Sequence, residues 1–139
     1  MNSEKNILGF DFGMKSIGVA VGHQLTNTAR GIAALSARDG IPDWDSIANL
    51  IKEWQPGLIV VGLPLNMDGT EQLMTAAARK FGNRMNNRFN IPVAWQDERL
   101  TTFEALDQMG IRSKMQSDKR SDVDKLSAQI ILQSWLDQQ

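Results

Sequence analysis

Leu58, Ile59, Val60 and Val61 form an unbroken aliphatic run, with Pro56 and Gly57 before it and Gly62 after it. A strand this apolar has no water-facing side, so it belongs inside a sheet that is covered on both faces. The flanking sequence supplies the covers. Trp44, Ile47, Ala48, Ile51 and Trp54 recur at helical spacing behind Pro42 and Asp43. Met74, Ala77, Ala78, Phe81 and Met85 make a second stripe on a helix expected over about 70–89, which Asn90 and Pro92 end. Residues 91–95 read as another strand, about 101–109 as a short helix, and about 122–136 as the last helix. Upstream, residues 6–11, 17–22 and 28–35 are three short apolar runs with tight connections, the pattern of an antiparallel meander. The order β-β-β-α-β-α-β-α-α predicts an α/β fold, a mixed five-stranded sheet flanked by helices, in one domain of 139 residues. Residues 110–120 are rich in Ser, Lys, Arg and Gln and read as a mobile loop.

Composition narrows the chemistry. The chain has no cysteine and a single histidine, His23, which excludes disulfides, thiolate sites and multi-histidine zinc sites. Any metal must be a hard cation held by oxygen ligands. No apolar run approaches the ~18 residues that span a bilayer, and the first residues are polar, so the expectation is a cytoplasmic protein without membrane contact. A net charge of −1 does not by itself mark a nucleic-acid binder, but the distribution is uneven. Between Gln72 and Gln96 stand Arg79, Lys80, Arg84 and Arg88 with no acid, and Arg112, Lys114, Lys119 and Arg120 form a second basic cluster.

Three acids sit where acids are expensive. Asp11 ends the first apolar run; it is either a turn aspartate accepting backbone N–H bonds or a functional carboxylate. Asp97 and Glu98 directly follow the strand ending near Trp95, and only one of two adjacent residues can face a given site. Asp124 resembles the end of a capping box begun by Ser121. Yet Asp124 shares a helical face with Ala128, Ile131 and Trp135, turned toward the sheet, while Asp122 shares one with Lys125, Gln129 and Gln133, turned toward water. Strand ends are where sites form in open α/β sheets. Carboxylates gathered from distant segments can hold Mg²⁺ or Mn²⁺ for phosphodiester chemistry. Gly13, Gly18 and Gly22 fit either hairpin geometry or a close backbone approach to phosphate aided by Lys15. Residues 62–69 read as a loop into a helix capped by Asp68 or Thr70, with Asn66 and the helix start available to phosphate. Lys80, Arg84 and Arg88 repeat every four residues, as a solvated stripe or a track for a nucleic-acid backbone.

Four segments carry a resemblance to a known family: residues 11–20 (DFGMKSIGVA), 61–70 (VGLPLNMDGT), 97–102 (DERLTT) and 124–132 (DKLSAQIIL). Together they resemble the YqgF (RuvX) family, known as Holliday-junction-resolvase-like and as nucleases of the 5′ end of pre-16S ribosomal RNA. The resemblance spans nearly the whole chain in order. It implies a ribonuclease H-like fold, cytoplasmic location and divalent-metal phosphodiester hydrolysis, and it places the family's acids on Asp11, Glu98 and Asp124; Arg99, beside Glu98, either pairs with an acid or meets nucleic acid. The partner it implies is precursor ribosomal RNA or a ribosomal particle, met by a monomer or weak homodimer. Against this nuclease stand a branched-DNA resolvase, a nucleotide-dependent ATPase or kinase, which usually needs two such domains, and a non-catalytic binding module, against which the retention of all three acids argues.

Overall fold

The computed structural model describes residues 5–98 and 120–139. Strands β1 (Ile7–Asp11), β2 (Ser16–His23) and β3 (Thr28–Arg38) form the expected antiparallel meander. Then come β4 (Ile41–Pro42), α1 (Trp44–Trp54), β5 (Leu58–Leu63), α2 (Leu73–Phe89), β6 (Val93–Asp97) and α3 (Arg120–Asp137). The sheet order is β4-β3-β2-β1-β5-β6, with β5 parallel to both β1 and β6. The aliphatic run of β5 therefore lies inside the sheet, beside β1. The short helix expected over 101–109 and nearly all of the 110–120 segment lie outside the described residues.

Among the described residues the sheet has six strands, where five were expected. The added one, β4, is turned back onto β3 by Asp39 and Gly40, both at positive φ, a two-residue hairpin between Arg38 and Ile41. Asp-Gly is a strong local signal for such a turn. Two other boundaries move. β5 continues through Gly62 to Leu63, because its carbonyl end keeps pairing with β6. α2 starts at Leu73 rather than about 70. Residues 64–72 instead close on themselves, through Asn66 accepting from Gly69 N and an isolated bridge between Leu65 and Glu71. The N-cap is Gln72, in a reciprocal box with Thr75, whose hydroxyl also donates to the Pro64 carbonyl. Neither Asp68 nor Thr70 caps the helix; they bond each other in the preceding turn.

The sheet has a thick side and a thin side. Leu8, Phe10, Ile17, Val19, Ile59 and Val61 are buried beneath α1 and α2, where Phe10, Phe12 and Trp44 cluster around Phe81. Successive strand residues point to opposite faces, so Ile7, Ala20 and Val60 face the other way and pack with Ala128, Ile131, Leu132 and Leu136 of α3. On this side the helix lies almost on the strands. A Cβ on Gly18 would meet the Asp124 carbonyl oxygen at 2.0 Å, and one on Gly31 would meet the Lys125 carbonyl at 2.5 Å. This corrects both readings of the glycine pattern. Gly13, Gly18 and Gly22 do not have positive φ, and the space beside Gly18 is taken by α3 rather than left open to phosphate. A second correction concerns Gln129 and Gln133, expected to face water with Asp122. They accept from Gly31 N at 3.0 Å and Ala29 N at 3.1 Å. Here β3 is the sheet edge, and its amides need partners from outside the ladder. Asp122 itself is exposed, as expected.

Candidate active site

Asp11 is the last residue of β1 and lies opposite Gly18 in the ladder. Strand alternation puts it on the thin side, under the amino end of α3. Because Gly18 touches the backbone of Asp124, the helix brings its own carboxylate close to Asp11. Ser16, two residues before Gly18 on the same face of β2, donates to Asp124 Oδ2 at 2.7 Å. This disposes of the capping-box alternative: α3 already begins at Arg120, so Ser121 and Asp124 lie inside the helix.

Glu98 arrives from the other side. Its amide donates to the Leu63 carbonyl at 3.1 Å, which prolongs the β5–β6 ladder by one rung. Its carboxyl group then lies over Gly62, where an added Cβ would come within 3.0 Å of both Glu98 Cδ and Oε2 and within 2.8 Å of Ile131 Cδ1. Glu98 thus stands on the α3 side of the sheet, whereas Asp97 is exposed. The register of β6 on β5 separates these neighbours, which spacing alone does not orient.

All three acids are half-buried. Burial, and then the charge of Asp124, pushes the Asp11 carboxyl up to about 7. Burial, then Asp11 and Asp97, pushes Glu98 up to about 8. Removing a carboxylate from water and placing like charges beside it both favour the protonated form. Among the described residues, Arg79 of α2 pairs with Glu71, away from the cluster. The arrangement is two pairs sharing Asp11 rather than a closed ring. Among the described residues, no three His, Cys, Asp or Glu side chains gather closely enough to hold a metal ion as a group. The donor set itself suits a hard divalent cation: oxygen ligands only, mutually repelling, at strand ends.

The other candidate residues fall into separate places. Lys15 is exposed in the β1–β2 connection next to Ser16. Asn66 is exposed, but its Nδ2 donates to Thr70 Oγ1 at 3.0 Å, tying its own loop. The basic stripe of α2 belongs to the thick side. Arg88 stacks on Trp44, its Cζ 4.2 Å from the ring centroid, while Lys80 and Arg84 border a recess floored by Phe12, Trp44 and Phe81. Arg79, read as part of the basic run, pairs with Glu71 and lies over Trp95. Arg99, Arg112, Lys114 and Lys119 lie outside the described residues. Sequence reasoning missed Ser16 and Gly62. Ser16, Gly18 and Ala20 alternate on one face of β2, and that spacing was the available clue for Ser16.

Comparison with known proteins bears on this geometry. The model of the RuvX family, described as Holliday junction resolvase, matches residues 5–138. A protein of Glaesserella parasuis named "Putative pre-16S rRNA nuclease" is 55% identical over 135 residues, covering 97% of this chain and 98% of its own. One of the same name from Aeromonas hydrophila is 54% identical over 137 residues, covering 99% and 98%. Among solved structures, the fowlpox virus Holliday junction resolvase superposes with a TM-score of 0.54 at 14% identity, over 96% of this chain and 98% of that one. T. thermophilus RuvC in complex with a Holliday junction substrate gives 0.51 at 14%, over 96% and 94%. At that identity the likeness is one of fold, the ribonuclease H-like arrangement of mixed sheet and helices.

Proposed function

The chain belongs to the RuvX family, and from that membership we infer a metal-dependent nuclease that processes the 5′ end of pre-16S ribosomal RNA. The observation that carries the reading is Asp11: a half-buried carboxylate at the end of a central strand, pushed up to about 7 and flanked by Asp124 and Glu98. A folded protein does not retain such a cluster for stability, since each charge raises the cost of the others. A cationic ligand would offset that cost.

Asp11, Asp124 and Glu98 would hold Mg²⁺ or Mn²⁺. When bound, the ion would supply charge neutralisation at phosphorus and a water of lowered pKa. The chain's own contributions are separate. Asp11 is the acid that the pairs with Asp124 and with Glu98 share. Glu98 is held by its backbone bond to Leu63, and its carboxyl is pushed up by burial and then by Asp11 and Asp97, a cost that a bound cation would relieve. Without a cation, three carboxylates would repel a phosphodiester. Lys15, exposed in the turn next to Ser16, would meet the nucleic-acid backbone, and Arg99 directly follows Glu98 in sequence. Lys80 and Arg84 would engage nucleic acid that passes round to the thick side.

The pre-16S substrate is the reading that the relatives' names favour, in a cytoplasmic protein acting as a monomer or weak homodimer on free precursor RNA or a ribosomal particle. Among the described residues no helix is long and apolar enough to cross a membrane. The second reading, a branched-DNA resolvase, is favoured by the family's description and by the solved neighbours. The test is cleavage of a labelled precursor RNA, free and within its particle, beside a four-way DNA junction, with Mn²⁺, Mg²⁺ or chelator, for the wild type and Asp11→Asn. Metal-dependent cutting of RNA that is lost in the variant supports the first reading. Cutting of the junction alone replaces it with the second, and cutting of neither removes the nuclease assignment.

A further inference from the structure

One polar contact joins the candidate site to a strand that contributes no acid. Ser16 Oγ reaches Asp124 Oδ2 at 2.7 Å across 108 residues of sequence, in a partly buried setting. A hydroxyl donating to a carboxylate is a charge-assisted bond and orients its acceptor. The bond engages one oxygen of Asp124, and among the described residues Oδ1 has no hydrogen-bond partner. Around the pair lies an open recess of about 200 Å³, lined by Ser16, Ala34, Leu35, Ser36, Ser121 and Asp124. The recess leaves that side of Asp124 open. Gly18 fixes the backbone of Asp124 against β2, but a backbone contact leaves χ1 and χ2 of an aspartate free. Among the described residues, Ser16 is the hydrogen-bond donor to that carboxylate.

We propose that Ser16 is a positioning residue for metal binding: it locks the Asp124 carboxylate so that Oδ1 is presented toward Asp11 and a divalent cation. The inference rests on the nuclease reading of this site. Its logic is that of outer-shell partners in metal sites, whose loss typically lowers metal affinity or activity by about 10–100-fold. Ser16 would not touch metal or substrate, so its effect passes through Asp124 alone.

The test is isothermal calorimetry of the full-length protein with Mn²⁺, on wild type, Ser16→Ala, Ser16→Thr and Ser36→Ala, with melting temperatures measured in chelator. Ser16→Ala is expected to bind Mn²⁺ about tenfold more weakly. Ser16→Thr keeps the hydroxyl on a residue suited to a strand and should restore the wild-type affinity. Ser36→Ala, opposite Ser16 in the ladder, should leave it unchanged. A Ser16→Ala variant that melts lower but binds Mn²⁺ as tightly as wild type has a structural serine, and the proposal is overturned while the metal site stands. Failure of the wild type to bind Mn²⁺ at all overturns the proposal and the metal-dependent reading together.

Discussion

Asp11→Asn should make the metal-free protein more stable, not less, and the gain should depend on pH. An aspartate carboxyl ordinarily titrates near 3.8, and in the fold Asp11 is pushed up to about 7 by burial and by Asp124. The folded chain therefore binds this proton more tightly than the unfolded chain does. Below pH 4 both states are protonated and there is no penalty. As pH rises from about 4 to about 7, the unfolded state loses its proton first and stability falls; above 7 the penalty is complete. At about 1.4 kcal/mol per pK unit, the ceiling is about 4 kcal/mol. Asp11 is partly exposed and Asp124 can share the strain, so a net gain of about 1–2 kcal/mol at pH 8 is the working figure. The variant also removes one of the charges holding Glu98 up, which adds to the gain in the same direction. Urea denaturation in chelator at pH 4, 6 and 8 measures it: the variant and wild type should converge at pH 4 and separate by pH 8. Millimolar Mn²⁺ should then raise the wild type and leave the variant behind. A variant no more stable than wild type at pH 8 in chelator would refute the idea that Asp11 is an uncompensated charge, and with it the main argument for a cation site.

Asp124→Asn should lower cleavage at least a hundredfold while Asp122→Asn leaves most of it, measured as single-turnover rates on the same RNA; equal losses would sink the assignment by helix face. Lys80→Glu with Arg84→Glu should weaken nucleic-acid binding and flatten the log–log salt dependence by roughly one per lost phosphate contact; an unchanged slope would return that stripe to solvent. Arg88 is left out because its stacking on Trp44 confounds charge with packing. Gly18→Ala should cost about 2–3 kcal/mol in urea denaturation, since its Cβ meets a carbonyl oxygen of α3. Gly62→Ala meets only the ends of the Ile131 and Glu98 side chains. It should fold within about 1 kcal/mol of wild type yet lose Mn²⁺ affinity, because the displaced group is the Glu98 carboxylate.

What the sequence made legible was whatever rests on local periodicity. The meander, the doubly covered strand at Leu58–Val61 and the sheet-facing side of α3 follow from spacing alone, and so does the contrast between Asp124 and exposed Asp122. The start of α2 was misplaced because Asp68 and Thr70 are good cap residues that a tight turn uses first. The strand β4 was missed because two residues carry no periodicity, although Asp39-Gly40 announced its turn. Gln129 and Gln133 were turned to water because a helical wheel records polarity, not the unpaired amides of an edge strand beside it.

The remaining gap lies on the thin side of the sheet, and it has a single physical cause. Gly18 is separated from Asp124, and Gly62 from Glu98, by many residues, and each glycine is explained only by the atom that occupies the place of its missing Cβ. Spacing within one strand cannot name that atom. The same closeness gives the site its geometry. A helix held off by ordinary side chains would ride several ångströms higher and carry Asp124 away from Asp11. With glycine at position 18 the helix backbone rests on β2, and with glycine at position 62 the Glu98 carboxyl can fold over β5. The burial and repulsion that raise Asp11 and Glu98 are therefore a consequence of glycine at two ladder positions.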